Sequence, residues 1–265
     1  MHSLNYHKAS NASEAARLLS GTEDGKFLAG GQTLIPAMKT RLAAPSDLVD
    51  VSGAAELRGI NVSGREIARG AATTHAEVAA NGELRNVCPS ICDMAANIGD
   101  PAVRHRGTIG GSIANNDPAA DYPAAMLALG ATIRTASREI AADDFFVGLF
   151  ETALDDDELI TSIGFTAPAA GAYAKFPNPA SRYAMCGVFV AKGDDGVRVG
   201  VTGAGSDGAF RAGDFEAALD GEFSAEALDG LSVRAEGMLS DIHGDAVYRA
   251  NLVSVMAKRA VAAAG

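Results

Sequence analysis

The chain is short of the residues from which many active sites are built. It has three cysteines, Cys88, Cys92 and Cys186, so a CxxxC pair stands without the second pair that the four thiolates of an iron–sulfur cluster require. All three read as small buried core residues. The five histidines, His2, His7, His75, His105 and His243, show neither HExxH nor related ligand spacing, no Ser-His-Asp order stands out, and each reads as solvated or capping. Basic runs are missing too. The 22 Lys and Arg residues are scattered among 33 acidic ones, and a net charge of −11 would repel a phosphate backbone, so nucleic acid is not an expected partner. No apolar stretch approaches membrane-spanning length, which argues against an integral membrane segment. Met1 to Ser10 has no apolar core of the signal-peptide kind, and the expected location is cytoplasmic.

What is present is a globular composition, 48% hydrophobic and 21% charged, long enough for two domains. Asn11 with Glu14 three positions on resembles a capping box, opening a short amphipathic helix that Gly21 closes. Strands are expected at Lys26 to Ala29, Leu48 to Val51 and Glu66 to Ala71. Thr74 with Glu77 predicts a second capping box and a helix over Ala76 to Ala80. Pro89 suits the first turn of a third helix, whose Ile91, Met94, Ala95 and Ile98 share one face before Gly99 stops it. Asp121, as N-cap, and Pro123 open an apolar helix that ends at Gly130. After the strand-like Leu159 to Phe165, Pro168 and Gly171 mark a domain boundary. Beyond it, Cys186 to Lys192, a turn at Gly193 to Gly196, and Val197, Val199 and Val201 predict a hairpin with one buried face. Tyr248, Leu252, Val255, Met256 and Arg259 predict a C-terminal amphipathic helix.

Two segments look chemical. Ala29-Gly30-Gly31-Gln32-Thr33 and Thr108-Ile109-Gly110-Gly111-Ser112 each pair glycines with a hydroxyl beside a predicted strand. Glycine lets the backbone approach an anion, and consecutive N–H groups with a hydroxyl make a nest for phosphate oxygens. Two nests suit a pyrophosphate. Neither has P-loop spacing or the GxGxxG order of a Rossmann turn, and one Gly-Gly alone is more often a turn. The second is followed by Asn115, Asn116, Asp117, Pro118 and Asp121, a polar cluster suited to ribose and adenine edges.

Phe27 to Pro36 with Met38, Lys39 and Arg41 resembles the first FAD loop of the medium subunits of molybdenum hydroxylases, the carbon monoxide and xanthine dehydrogenase family. Gly99-Asp100-Pro101, Val103-Arg104, Gly107 to Ser112, Asn115 and Asp117 to Pro123 are similar to its second signature. Asp157 to Ile160 and Lys175-Phe176 to Ser181-Arg182-Tyr183 follow in the family order, so the match spans nearly the whole chain. The resemblance implies an α+β fold. A FAD-binding domain of the vanillyl-alcohol oxidase or PCMH type would occupy residues 1–168, in subdomains of about 1–54 and 55–168, and a smaller α+β domain with an antiparallel sheet and helices residues 171–265. It further implies that Phe27, Leu28, Ala29, Gly30, Gly31, Gln32, Thr33 and Leu34, with Thr108, Ile109, Gly110, Gly111, Ser112 and Asn115, bind FAD. Asp121 would hydrogen-bond the cofactor, Ile160 would lie near it, and Lys175 and Tyr183 would lie near the isoalloxazine ring. Some relatives stack a phenylalanine on the flavin where this chain has Ile98.

With FAD bound, the chain needs no catalytic acid, base or nucleophile of its own, because the cofactor carries the electrons. The family then implies an oxidoreductase complex: a molybdopterin large subunit that oxidises substrate, a small subunit with [2Fe-2S] clusters, this flavoprotein, and NAD, a quinone or oxygen as acceptor, assembled as a dimer of heterotrimers. A stand-alone flavoenzyme of the same fold superfamily and a flavin-binding scaffold are the competing readings. Arg104-His105-Arg106 beside the second loop, and the acidic run Asp155 to Glu158, read as solvated surface.

Overall fold

The computed structural model describes residues 1–264. Its first unit comprises β1 (Asn5–Lys8), α1 (Ala12–Ser20), β2 (Gly25–Leu28), α2 (Leu34–Lys39) and β3 (Asp47–Asp50), with the strands parallel in the order β1-β3-β2. Parallel neighbours need crossovers, which α1 and α2 supply. Asn11 caps α1 by accepting from the Glu14 amide, but the Glu14 carboxylate takes the Ser10 amide and hydroxyl instead of the Asn11 amide, so the expected box is displaced by one residue.

The second unit runs through β4 (Ile60–Ser63), β5 (Glu66–Gly70), α3 (His75–Ala80), α4 (Gly82–Val87), α5 (Pro89–Ala96), α6 (Pro101–Arg104), α7 (Ile109–Asn115), α8 (Asp121–Ala128), β6 (Thr132–Thr135), β7 (Glu139–Ala141), α9 (Ala142–Phe145), β8 (Phe146–Gly148), β9 (Glu151–Thr152) and β10 (Ile160–Thr166). Five of its strands form an antiparallel sheet of order β4-β5-β10-β6-β7, and β8 and β9 form a separate ribbon. The Thr74 capping box forms as its spacing predicts. The second glycine segment differs from expectation: Thr108 is an N-cap, and Gly110 and Gly111 lie in the first turn of α7. Asp121 is likewise not a cap. Ala120 holds that position, and Asp121 opens the helix.

The third unit comprises β11 (Ala170–Pro177), β12 (Ala184–Gly193), β13 (Gly196–Thr202), β14 (Phe210–Arg211), α10 (Gly213–Gly221) and α11 (Ala246–Ala264), its strands antiparallel in chain order. The predicted hairpin pairs Gly193 with Gly196, and Val197, Val199 and Val201 join one core with Cys186, Val188 and Val190. Strand β11 has no counterpart in the sequence reading, because Ala169-Ala170-Gly171 looks like a linker; its partner β12 recruits it. The inward face of α11 is also rotated from expectation. Arg249, Leu252, Val253, Met256, Ala257, Ala260 and Val261 are buried, while Tyr248 and Arg259 are exposed. Arg249 takes the inner position because its guanidinium donates to the Met185 and Gly203 carbonyls, each at 2.8 Å, and to Asp241 at 2.7 Å.

All eight residues of α8 are buried. One side faces the core of the second unit, which also takes in Phe189 and Ala191 of β12, and the other packs on β13 so closely that a Cβ on Gly200 would sit 2.0 Å from the Ala124 carbonyl. The start of α8, and with it Asp121, is thereby held between the two sheets. Among the described residues no helix is long and apolar enough to cross a membrane.

Candidate functional site

The turn after β2 lies directly on the segment that enters α7. A Cβ on Gly30 would meet the Arg106 carbonyl at 2.1 Å and the Gly107 Cα at 2.8 Å, so only glycine allows this approach. Gly31 has φ +71, the left-handed region that glycine adopts without strain. Both turns border one cleft of about 790 Å³, in the upper part of the size range of ligand clefts.

The two turns are chemically unlike. Among the described residues, the N–H groups of Gly30, Gly31, Gln32, Thr33 and Leu34 have no internal acceptor, so the first turn presents a run of free donors. In the second, Ile109 donates to the Thr73 carbonyl, Gly110 to Ala71, Gly111 to the Thr108 hydroxyl, and Ser112 to the Thr108 carbonyl. The expectation of two equal nests is therefore corrected, for a physical reason: the Ala71 and Thr73 carbonyls take two of the second set of amides and the Thr108 cap takes the other two. What the second turn offers is the positive end of a short helix, a glycine surface, and the hydroxyl of Ser112 beside Asn115.

Of the residues singled out from the sequence, Phe27 to Leu34, Thr108, Gly110, Gly111, Ser112, Asn115, Asp121, Ile160 and Tyr183 line the cleft. Ile109 does not. It is fully buried in the core on the other side of α7. Lys175 does not line the cleft either, and reaches it through Asp121: the two side chains are 8% and 5% exposed and meet at 2.9 Å. Asn116, in the left-handed region, donates to the Gly148 and Glu151 carbonyls, so it braces the β8–β9 ribbon and is not a recognition group.

Several lining residues carried no functional expectation. His75, read as solvated or capping, is 5% exposed; burial, with a contribution from Arg104, pushes its imidazole down to about 4. The correction follows from packing, since its ring stacks near Tyr122 at 5.3 Å and its backbone amide donates to the Gly107 carbonyl. Phe150, Leu159 and Arg182 also line the cleft, alongside Ile98, Gly99 and Asp117. Glu158 is held well down, at about 2, by Arg138, whose guanidinium donates to both carboxylate oxygens, and this anchors the entry to β10 beside Ile160.

Residues 2–167 match the family described as the FAD binding domain in molybdopterin dehydrogenase. The chain belongs to that family, and FAD is its cofactor. Full-length similarity places this FAD-binding chain with the medium subunits of molybdenum hydroxylases. It is 33% identical to the nicotine 6-hydroxylase medium subunit of Paenarthrobacter nicotinovorans, covering 99% of this chain and 97% of that one. It is 34% identical to the carbon monoxide dehydrogenase medium chain of Afipia carboxidovorans, covering 98% and 96%. A solved structure of carbon monoxide dehydrogenase from Hydrogenophaga pseudoflava, described as lacking the Mo-pyranopterin moiety, superimposes with a TM-score of 0.89 at 34% identity, covering 99% and 97%. The oxidoreductase assignment and the α+β fold expected of the FAD-binding subunit both stand.

The cleft fits FAD on its own geometry. Its volume, its free amide run and its close-packed glycines suit a diphosphate at one end. Ile98, Gly99, Asp121 and Tyr183 also line the cleft, adding apolar surface and a few polar groups.

Proposed function

We propose that this chain relays electrons within a molybdenum hydroxylase, receiving them from [2Fe-2S] clusters on a small subunit and passing them to an external acceptor. FAD, when bound, supplies the redox chemistry. The chain's residues hold and orient it. The Gly30 to Leu34 amides are assigned to the phosphate oxygens, with Thr33 and Ser112 hydroxyls and Asn115 beside them, and the dipole of α7 adds favourable potential. Phe27, Leu28, Ala29, Thr108, Gly110, Gly111 and Ile160 shape the walls, while Asp121, Lys175 and Tyr183 are assigned to the flavin end. Ile109 acts only by backing α7. Substrate oxidation is assigned to a molybdopterin large subunit, the assembly to a dimer of heterotrimers, and the location to the cytoplasm.

The observation that carries this reading is the convergence of two turns, about eighty residues apart in sequence, on one cleft through the Gly30–Arg106 backbone contact. Purification of the chain from its native host tests it. The expected product is yellow, with one flavin per chain, and brings with it a molybdenum-containing large subunit and a cysteine-rich small one. A colourless chain that takes up no FAD, or a yellow one that is reduced alone by a simple substrate with no companion subunits, overturns it, the second result in favour of a stand-alone flavoenzyme.

A further inference from the structure

Tyr173 carries no expectation from the sequence, yet it has the tightest geometry near the flavin end. Tyr173 and Lys175 are two residues apart on β11, so both side chains leave the same face of the sheet. Both reach Asp121 at the first turn of α8. The Tyr173 hydroxyl donates to Oδ1 of Asp121; the Lys175 ammonium donates to Oδ2 at 3.1 Å and to the Asn97 carbonyl at 3.3 Å, and lies 2.9 Å from Oδ1 as an ion pair. The Tyr173 ring packs at a 32° tilt against Phe189, with centroids 6.1 Å apart, which restrains where its hydroxyl falls.

A carboxylate offers about four acceptor positions, two per oxygen. Two are filled from β11 by hydrogen bonds, Tyr173 on Oδ1 and Lys175 on Oδ2, and the Lys175 charge sits against Oδ1 as well. Asp121 lines the cleft, whereas neither Tyr173 nor Lys175 does. The acceptor capacity left on the carboxylate is therefore available to a donor in the cleft. We infer that Tyr173 is a positioning residue for the flavin: its phenol clamps the Asp121 carboxylate onto Lys175, which fixes both the orientation of the carboxylate's remaining acceptors and the residual charge the flavin end experiences. This rests on the FAD-binding reading of the cleft.

The electrostatic consequence has a sign. Reducing a flavin adds negative charge or a proton-coupled equivalent, and a nearby carboxylate opposes it more strongly when fewer donors neutralise that carboxylate, because a buried site screens weakly. Removing the phenol leaves more uncompensated charge on Oδ1 and lowers the flavin potential. Strengthening the phenol as a donor raises it.

The test uses the full chain loaded with FAD, as wild type, Tyr173→Phe, Asp121→Asn and the double variant. FAD affinity is measured by fluorescence quenching and the midpoint potential by spectroelectrochemical titration. Tyr173→Phe is expected to retain a full complement of FAD and to shift the oxidised-to-reduced equilibrium about tenfold toward the oxidised form, about 30 mV for a two-electron couple. In the Asp121→Asn background the same change is expected to add nothing, because Tyr173 acts through that carboxylate. Replacement of Tyr173 by 3-fluorotyrosine, a one-atom change that makes the hydroxyl a stronger donor, is expected to shift the midpoint the other way, and serves where Tyr173→Phe fails to fold. An unchanged midpoint in both Tyr173 variants, or additive shifts in the double variant, overturns the inference while the FAD reading stands. Wild-type chain that takes up no FAD overturns the FAD reading, and the inference with it.

Discussion

At the scale of single residues, the glycines of the site divide by what a side chain would strike. Gly30 faces backbone, which does not give way, so Gly30→Ala is expected to destabilise the fold by about 1–3 kcal/mol and to lose FAD together with stability. Gly110 is similar, its Cβ position lying 2.6 Å from Ala71 Cβ. Gly111 differs: it is exposed, and a Cβ there would find only the Thr108 hydroxyl at 3.0 Å and Ala29 Cβ at 3.9 Å. Gly111→Asp is therefore the variant that separates binding from folding. Thermal melts of the FAD-free chain should change little, while FAD affinity falls at least about tenfold, since a carboxylate confronting a diphosphate costs more than 1.4 kcal/mol in a poorly screened cleft. Undiminished affinity would place the diphosphate elsewhere.

His75 gives a second residue-scale prediction, in pH. Its folded-state value, about 4, lies below its ordinary 6.5, so between those values the unfolded chain binds a proton that the folded chain refuses. Stability from this source is complete above pH 6.5, declines as pH falls, and has lost up to about 3 kcal/mol by pH 4. Urea titrations of the FAD-free chain at a series of pH values check this. His75→Asn should flatten the curve across that window, and equal pH slopes for the two proteins would show that the imidazole is solvated after all. Nothing in the sequence distinguishes His75 from the exposed His105; the difference comes from Tyr122 and Gly107, which are close in space and remote in sequence.

At the scale of elements, legibility tracks how local the determining physics is. The Thr74 capping box, the Pro89 helix and the Gly193 to Gly196 hairpin depend on residues within a few positions, and all three form where the pattern predicts. The glycine turns stand out in the sequence as Gly-Gly beside a hydroxyl, and the structure brings both to one cleft. Their inequality is not legible in the sequence, because it depends on the Ala71 and Thr73 carbonyls, remote in sequence, taking two amides of the second turn. Strand β11 escaped for a similar reason: Ala170-Gly171-Ala172 has little β-preference of its own, and eight residues of pairing with β12 override it. With β11 unread, Tyr173 and Lys175 had no common face, and the Asp121 clasp was invisible. Arg69, expected only as part of a strand, is fully buried with its guanidinium 4.8 Å from the Phe165 ring centre; alternation along β5 places it inward, and no charged partner announces it.

At the scale of the whole molecule, the question is whether residues 1–168 and 171–265 are separable domains, as the composition break at Pro168 proposes. The sheets divide there, but the packing crosses. Helix α8 lies in the first segment with its outer side covered by β13, Phe189 and Ala191 of β12 complete the core of the second unit, and Arg198 ties the Leu127 carbonyl to Asp143. A chain ending at residue 168 would expose one side of a helix that has no polar face, and would leave Asp121 without either of its buried partners. The expectation is one cooperative unfolding transition for the full chain, seen alike by far-UV and near-UV circular dichroism. The 1–168 fragment is expected to aggregate or to unfold with much reduced cooperativity, and to bind FAD poorly even though every residue of both glycine turns is present. A fragment that is monomeric, melts sharply and binds FAD with full affinity would make α8 a surface helix in its own right, and would confine the third unit to a role in docking partners.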